Sequence, residues 1–344
     1  MTIYILLALT LTFLCFFRNK KLTVFIAAIL LIIIAGLRAE SVGTDTVNYG
    51  NLFEWYGDDL FGSSHANEPG YALLQFMVVR LGLPYRAMVL IVQLLIIIML
   101  SVYALTVSHR PQYVLLCYVL LYFYFYSFNT SRQYLSIPLL LFAYDLLDKG
   151  KIKGALLLFV AAGMFHNVAL MGVIVLIFKK KRWTPSFQIV LLALTLVIGL
   201  TSLPQSLTQR LTGFMPSGFV DYVLDESEYR LQSFSLSRFM LTGFNMALVA
   251  TLKNDSNKLC ILTLGICLLN FFAFQPVIAR MAQLFTIIQI TIIPEIPYMI
   301  QEKARNFLPA LKFSAYAYMM IVFLYMLSSN TAQVVPYNFG GWVF

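Results

Sequence analysis

The amino-acid sequence predicts an all-α fold, a polytopic integral membrane helix bundle. Three observations support this prediction. Hydrophobic residues make up 60% of the 344-residue chain, charged residues make up only 11%, and the mean hydropathy is +0.81. Soluble domains are about half apolar and about a quarter charged. The composition therefore excludes a soluble globular enzyme and a disordered chain.

The apolar residues form runs that are mostly joined by short connections. Because one crossing takes roughly 20 apolar residues, the chain holds enough for about ten full spans plus short re-entrant or half-helix segments. We expect one transmembrane domain over residues 1–344, with long outer loops at 38–70 and 203–238. The four cysteines lie in apolar runs without metal-ligand spacing, which predicts small packing residues.

The lysines predict which loops face the cytoplasm. They occur only in clusters, at 20–21, 149–153, 179–181, 253–258 and 303–312. Neither long loop contains a lysine, and loop 38–70 carries six acidic residues. Since basic residues are retained inside, the clusters are cytoplasmic, and the long loops and both termini face outward. The net charge of +9 reflects the same rule and predicts no nucleic-acid partner.

Two runs do not fit simple crossings. Lysines flank run 154–178 on both sides, so we expect two half-helices that meet near residues 163–167. Run 71–83 is short and contains Arg80, so we expect a helix that dips in from the outside. Irregular backbone at membrane depth requires surrounding protein or a water-filled cavity. Together the two dips predict an outward-open cavity.

Arginines, unlike lysines, occur on the predicted outer side. The planar guanidinium group binds oxyanions through two parallel hydrogen bonds, which lysine cannot reproduce. The local sequence offers no acid to Arg132 between Asn129 and Tyr134, and none to Arg280. We therefore expect a bound diphosphate to be their common partner. The alternative is that the outer arginines pair with the acidic loops.

The first outer loop carries polar motifs at both ends. Arg38, Asp45 and Tyr49 lie near its beginning. Glu68 and Tyr71 lie at its end, on either side of a Pro-Gly pair that forces a turn. These residues are either binding groups or loop anchors.

Two further segments hold candidate residues. Asn129, Arg132 and Gln133 follow the aromatic run 122–126, which is typical of an interfacial belt. His166 is the only ionisable group in run 154–178 and lies at its predicted break. Histidine is suited to proton transfer near neutral pH, which makes His166 the best candidate for a general base. Asp45 and Glu68 are alternative bases, and a packing role for His166 is the other interpretation.

The order of these motifs resembles the Wzy-type polysaccharide polymerases, in the EpsG-like branch. The matching pieces are Gly36-Leu-Arg38, Gly43-Thr-Asp45, Tyr49, Glu68-Pro-Gly-Tyr71, Asn129, Arg132-Gln133, Phe165-His166, Arg280 and Pro336-Tyr337. The resemblance spans nearly the whole chain. Asn167 and Asn338 depart from it, because a small residue or serine and a lysine are expected at these positions.

The resemblance implies a metal-independent membrane glycosyltransferase without a cofactor. It would make O-antigen, capsule or exopolysaccharide at the bacterial inner membrane, with its active site facing the periplasm or exterior. Catalysis would depend on His166, Arg132 and Arg280. Substrate binding would involve nine further residues: Arg38, Asp45, Tyr49, Glu68, Tyr71, Asn129, Gln133, Arg230 and Arg238.

The implied partners are glycans linked to undecaprenyl pyrophosphate, one as donor and one as acceptor, together with membrane lipids. A chain-length regulator is a further candidate partner. Two alternatives stay open at this point. One is a flippase or transporter of lipid-linked oligosaccharides, and the other is an O-antigen ligase-like transferase.

The predicted hairpin can be tested by labelling. Cysteines introduced as Lys151→Cys and Lys180→Cys should both react from the cytoplasmic side, because a chain that enters and leaves again keeps its flanks together. A membrane-impermeant maleimide on intact and permeabilised cells measures this, with Glu54→Cys as the outer-side control. Labelling of positions 151 and 180 from opposite sides would contradict the hairpin.

Overall fold

A computed structural model describes residues 1–56, 58–59, 68–179, 182–214, 220, 236–275 and 279–340. Over these residues every regular element is a helix, apart from two isolated β-bridges. The all-α prediction is therefore confirmed. In the described ranges, Tyr85–Val107 and Glu302–Ser328 are long and apolar enough to cross a membrane. A third span is formed if two helices that meet at 86°, Pro185–Ile198 and Leu203–Arg210, are taken together. The number of about ten spans therefore stays a prediction.

The chain forms two compact units. The first comprises Met1–Ile174, Ile293–Glu295 and Met319–Phe344, and the second comprises Val175–Ile292 and Ile296–Tyr318. The α-helices up to residue 165 are α1 Thr2–Leu14, α2 Lys20–Gly36, α3 Thr46–Tyr56, α4 Pro69–Arg80, α5 Tyr85–Val107, α6 Pro111–Leu120, α7 Phe123–Tyr126, α8 Ser131–Asp148 and α9 Ile152–Phe165. A 3₁₀ helix, Asn167–Lys179, follows α9.

The remaining α-helices are α10 Pro185–Ile198, α11 Leu203–Arg210, α12 Leu236–Thr251, α13 Lys258–Phe271, α14 Gln283–Thr286, α15 Gln289–Met299 and α16 Leu308–Ser328. Short 3₁₀ helices are Thr212–Phe214, Arg280–Ala282, Glu302–Phe307 and Thr331–Gln333. The four cysteines are all buried and none forms a disulfide, in agreement with a packing role: Cys15, Cys117, Cys260 and Cys267.

The segment after α8 doubles back on itself. Helix α9 ends at Phe165, and His166 adopts an extended conformation before the 3₁₀ helix begins. A Cβ placed on Gly172 would lie 3.2 Å from Cε1 of Phe159. In a straight helix, residues 13 apart are about 20 Å apart along the axis. The predicted pair of half-helices is therefore confirmed, and their meeting point is His166.

Helix α4 has the length that the sequence predicted for a dipping helix. Its 12 residues, Pro69–Arg80, extend about 18 Å, whereas the hydrocarbon core of a bilayer is about 30 Å thick. The helix packs against α9 and α5 within the first unit. It is too short to cross a bilayer as a single helix, which agrees with the predicted dip.

The aromatic run 122–126 does not form an interfacial belt, so that prediction was wrong. Tyr122, Tyr124 and Phe125 are fully buried in the first unit. The Tyr124 hydroxyl donates to the carbonyl of Leu31 at 2.8 Å, and Phe125 stacks edge-on against Tyr4. Tyrosine rings occur at membrane interfaces and also in cores where the hydroxyl finds a partner. Here the partners are backbone carbonyls inside the protein.

The carboxyl-terminal segment is tied to the start of the first loop. Ala39 N donates to Asn338 O at 2.8 Å, and the Tyr4 hydroxyl donates to Val334 O at 2.9 Å. The beginning of α1, the end of α2 and residues 334–340 therefore lie at one end of the first unit. The predicted topology requires this, because it places both termini and Arg38 on the same side. Asn338 acts here through its backbone carbonyl, which any residue supplies.

In the second unit, α10 packs against α12 and α13. Buried polar side chains link these helices. The Thr263 hydroxyl donates to Gln188 Oε1 at 2.9 Å, Asn245 Nδ2 donates to Thr263 Oγ1 at 3.3 Å, and Asn270 Nδ2 donates to Thr242 Oγ1 at 3.1 Å. Interhelical hydrogen bonds of this kind hold apolar helices together in membranes, where the hydrophobic effect does not.

Candidate active site

A buried carboxylate, Glu68, is the centre of a polar cluster in the first unit. Glu68 precedes α4 and is only 6% exposed. Its Oε2 accepts a hydrogen bond from Arg132 Nη1 at 2.6 Å, and its Oε1 lies 2.8 Å from His166 Nδ1. The backbone N–H of Asn167 also donates to Oε1, at 3.2 Å. The fold thus brings together three residues that the sequence identified separately: Glu68, Arg132 and His166.

Helices α4 and α9 must approach closely to form this cluster. A Cβ placed on Gly70 would lie 3.0 Å from the carbonyl oxygen of Met164 and 3.2 Å from its carbonyl carbon. Only glycine therefore leaves the start of α4 room beside the last turn of α9. Because Glu68 precedes this glycine by two residues and His166 follows Met164 by two, the close approach sets the distance between carboxylate and imidazole.

Arg132 has an anionic partner within the protein. The local sequence contains no acid, and a diphosphate was expected to satisfy the guanidinium group. The structure supplies Glu68 instead, from a position 64 residues earlier in the chain. This pairing agrees with the alternative, in which outer arginines pair with the acidic loops, and a diphosphate contact to Arg132 stays a prediction. A half-buried arginine in an apolar hairpin still requires an anion, and the fold provides one.

Two tyrosines complete the surroundings of Arg132. Arg132 Nε donates to the Tyr49 hydroxyl at 3.3 Å, and the guanidinium carbon lies 5.4 Å from the centre of the Tyr49 ring. The Tyr71 ring is 6.0 Å away, and the two rings are 6.3 Å apart. These cation–π distances favour the charged arginine and restrict its rotamers. The tyrosines predicted as binding residues therefore position Arg132.

Electrostatics keep Glu68 ionised. Burial by itself raises the pKa of this carboxyl. The hydrogen bond with His166 and the charge of Arg132 outweigh burial and lower the pKa to about 2. Because the pKa of Glu68 is lowered in the folded protein, its ionised contacts stabilise the fold at every pH above the ordinary pKa range of glutamate. This contribution is lost only as the pH falls toward about 2. Glu68 is therefore a poor proton acceptor at neutral pH.

The state of Glu68 fixes the tautomer of neutral His166. An ionised carboxylate can only accept hydrogen bonds, so Nδ1 must be the donor toward Oε1. In the neutral ring, Nε2 then carries the lone pair. The imidazole is partly exposed, with 22% of its side-chain surface accessible. The arrangement can take a proton from a hydroxyl at Nε2 while the carboxylate stabilises the imidazolium that forms, as in other acid–histidine pairs.

Three other predicted residues lie in the first unit outside this cluster. Asp45 immediately precedes α3, and its carboxylate accepts a hydrogen bond from the Thr44 hydroxyl at 2.8 Å. The Asn129 amide is used by backbone groups: Oδ1 accepts from Thr44 N at 2.8 Å, and Nδ2 donates to Ala332 O at 2.9 Å. Gln133 is buried on α8. The geometry gives Asn129 an anchoring role between loop and tail.

Gly43 shows why Asn129 holds the loop so closely. Gly43 has a φ of +107°, a conformation that side chains rarely adopt. A Cβ at this position would lie 2.5 Å from Asn129 Oδ1. The loop turns at Gly43 and passes directly against the Asn129 amide, which then orients residues 44–49 toward Arg132.

The remaining arginine predictions lie elsewhere. Arg238 is buried in the second unit, where Nη1 donates to Gly199 O at 3.4 Å. Arg280 begins a 3₁₀ helix in the second unit and is exposed. Arg230 lies outside the described residues. Roles for these three in substrate binding or catalysis stay predictions.

Sequence reasoning missed one contributor, the backbone N–H of Asn167. Asn167 was noted because a small residue was expected after the histidine. In the structure its backbone N–H donates to Glu68, a contact that does not depend on the side chain. The break after α9 frees this N–H, since the first residues of a helix lack intrahelical acceptors. The predicted break was the available signal.

One protein family matches the chain over most of its length. The family model of the EpsG family matches residues 21–339. That range includes every described residue of the Glu68 cluster. Among curated proteins, and among solved structures, none matches the chain.

The close approach at Gly70 gives a first prediction for this site. Gly70→Ala should reduce glycan transfer about tenfold to a hundredfold, since small displacements of catalytic groups carry costs of this size. Gly243→Ala is the matched control, because a Cβ there meets nothing within 4 Å. Initial rates of glycan transfer by the purified proteins measure the effect. Equal rates for Gly70→Ala and wild type would show that the α4–α9 approach does not position the site.

The role of the carboxylate gives a second prediction. Glu68→Gln keeps the shape but loses the charge that orients and stabilises His166, so kcat should fall by about 10²–10⁴. Glu54→Gln, an exposed position on α3, should leave kcat unchanged. Thermal unfolding in detergent shows whether each variant is folded. A folded Glu68→Gln protein with near-normal kcat would assign Glu68 a structural role only.

Proposed function

The chain belongs to the EpsG family of polysaccharide-polymerase-like membrane glycosyltransferases, and on this premise we propose a specific reaction for it. The protein transfers a growing glycan from undecaprenyl pyrophosphate to a lipid-linked oligosaccharide repeat unit. The reaction takes place at the outer face of the bacterial inner membrane. The observation that supports this proposal best is the 2.8 Å contact between His166 Nδ1 and the buried Glu68 carboxylate.

The proposed chemistry requires a base more than an acid. The acceptor hydroxyl gives its proton to Nε2 of His166 as its oxygen attacks the anomeric carbon of the donor sugar. The bond between that carbon and the diphosphate oxygen breaks, and its electron pair leaves with undecaprenyl pyrophosphate. A diphosphate leaves readily, so no protonation of the leaving group is needed. Its charge can be met by arginine side chains, and the reaction as proposed uses no metal or cofactor.

Each residue of the cluster has its own role in the proposed reaction. Glu68 holds the imidazole in the tautomer that can accept a proton, and it stabilises the imidazolium afterwards. Arg132 neutralises Glu68 and holds it in place through Nη1, while Tyr49 holds Arg132. Thus Arg132 acts through Glu68 in this proposal. Arg280 remains a proposed contact to the leaving diphosphate.

The acidic residues within the apolar runs give less support to a transporter. Coupled transporters place functional acids within their helices. Of the acids that lie in apolar runs, Asp145 pairs with Lys149 at 2.6 Å, and Glu295 accepts from the Ser108 hydroxyl at 2.6 Å. Both contacts give these acids a structural explanation.

One assay separates the candidate reactions. Purified protein in liposomes receives a lipid-linked repeat unit as its only substrate. Growth of the glycan into a ladder of repeats supports the polymerase. Movement of the substrate between leaflets without new bonds would show a flippase, and transfer only to a different acceptor would show a ligase-like enzyme.

The base can be tested in the same assay. His166→Ala should abolish chain growth, and His166→Gln should retain hydrogen bonding to Glu68 but lose proton transfer, lowering the rate by about 10²–10⁴. His109→Gln is the matched control, because His109 lies outside the cluster. A His166→Gln protein that polymerises at a near-normal rate would contradict the assignment of His166 as base.

A further inference from the structure

A recess in the first unit lies beside the cluster and is rich in positive charge. It is partly open, so its volume of about 300 Å³ includes solvent at the mouth, and it is lined by the end of α2, the start of α3, the first turn of α5 and the tail. The lining residues that matter for the argument are Arg38, Glu40, Thr46, Tyr85, Arg86 and Gly340. None of the chemistry assigned to the Glu68 cluster uses Arg86, Tyr85 or Glu40.

Arg38 is a buried cation, and no carboxylate among the described residues pairs with it. It is only 6% exposed. Its Nη1 donates to the Ala35 carbonyl, and its Nη2 donates to Phe128 O at 3.0 Å. The Nε atom is buried without a hydrogen-bond partner. The guanidinium carbon also lies 4.6 Å from the centre of the Phe128 ring. A buried charge that contacts carbonyl dipoles and an aromatic ring, but no described carboxylate, is still costly, so an anion is the expected complement.

The first turn of α5 adds to this charge. Helix α5 runs for 23 residues from Tyr85, and its N-cap, Pro84, makes no side-chain cap hydrogen bond. The N–H groups at such a helix start favour phosphate groups. Arg86 lies in the same turn, with Nε 3.5 Å from Glu40 Oε1; the Arg86 side chain is partly exposed and that of Glu40 is exposed. An exposed pair at this distance is weak and can be replaced by a stronger anion.

The tail closes the recess on one side. Gly340 N donates to Leu37 O at 3.0 Å, and a Cβ on Gly340 would lie 3.5 Å from Arg86 Nη1. The tail therefore passes next to the Arg86 guanidinium group and leaves space beside it. Two guanidinium groups and a helix start thus border one space, and the only described carboxylate in its lining is the exposed Glu40.

We propose that this recess binds the diphosphate group of the lipid-linked glycan donor. The inference rests on the proposed function and deepens it, because it identifies where the leaving group is held. Arg38 and Arg86 would bind the phosphate oxygens, with the N–H groups at the start of α5. Glu40 would be displaced from Arg86 when the diphosphate arrives.

The position of the recess favours the donor over the acceptor. Thr46 lines the recess, and Tyr49, one turn later on α3, contacts Arg132 of the cluster. Residues three apart on a helix are neighbours, roughly 5–6 Å between Cβ atoms. In the donor, the anomeric carbon is bonded directly to the diphosphate, so the leaving group must lie close to the base. The acceptor's diphosphate lies at the far end of its repeat unit, away from the reacting hydroxyl.

Glu40 provides a test that separates a binding site from a structural ion pair. If Arg86 binds a diphosphate, Arg86→Gln should weaken binding about tenfold, whereas Glu40→Gln should strengthen it severalfold by removing a competing anion. If the pair only stabilises the fold, both variants lose the same interaction and should behave alike. Arg80→Gln is the matched control, because Arg80 is an exposed arginine in the same unit outside the recess.

The experiment measures binding without turnover. Full-length His166→Ala protein in nanodiscs of zwitterionic lipid is titrated with undecaprenyl pyrophosphate and, separately, with inorganic pyrophosphate, and Kd is obtained by microscale thermophoresis. We expect opposite effects of Arg86→Gln and Glu40→Gln on the Kd of the lipid, and competition between the two probes. Because binding is measured apart from chain growth, a failed polymerase assay and a failed binding assay are distinguishable.

Other outcomes would overturn the inference. Equal effects of both variants would show a structural ion pair, and unchanged Kd values would place the diphosphate elsewhere. If only inorganic pyrophosphate responds to the variants, the recess takes free phosphate and its assignment to the donor lipid is wrong.

Discussion

The ionised carboxylate of Glu68 is the constraint on which the site depends. A buried carboxylate must be matched by donors and positive charge, since its desolvation is otherwise too costly. Its partners come from two different elements: Arg132 from the start of α8, and His166 with Asn167 from the break after α9. Satisfying this one group therefore fixes the relative positions of α4, α8 and the hairpin that follows α9. Gly70 makes the approach sterically possible.

The same constraint explains why the histidine can act as a base. An ionised Glu68 determines which nitrogen of His166 carries the proton, and Arg132 keeps Glu68 ionised. Tyr49 connects this cluster to α3, whose first residue, Thr46, lines the arginine recess. Proton acceptance and leaving-group binding are thus assigned to different residues in one unit. In the proposed reaction Arg132 supports the base through Glu68, and Arg38 and Arg86 are proposed to bind the diphosphate.

Much of this fold followed from composition and charge. Hydrophobicity predicted an all-helical chain, and the lysines around run 154–178 predicted a hairpin whose break falls at His166. The sequence offered pairing of outer arginines with the acidic loops as an alternative, but it did not identify the acid. Arg132 and Glu68 meet only through packing of α4, α8 and α9. The burial of residues 122–125 was missed for a similar reason, since tyrosines suit an interface and a core equally well. Arg86 gave no signal, because its importance depends on the neighbouring Arg38.

The central claim is that Glu68 and His166 work as one catalytic unit. A double-mutant cycle on the rate of chain growth, with Glu68→Gln, His166→Gln and the combined variant, tests it most directly. Residues that act through the same step give strongly non-additive losses. The account predicts that the double variant is no slower than His166→Gln alone, because Glu68 acts only through the imidazole. Losses that multiply in the double variant would show that the two residues act independently, and would contradict it.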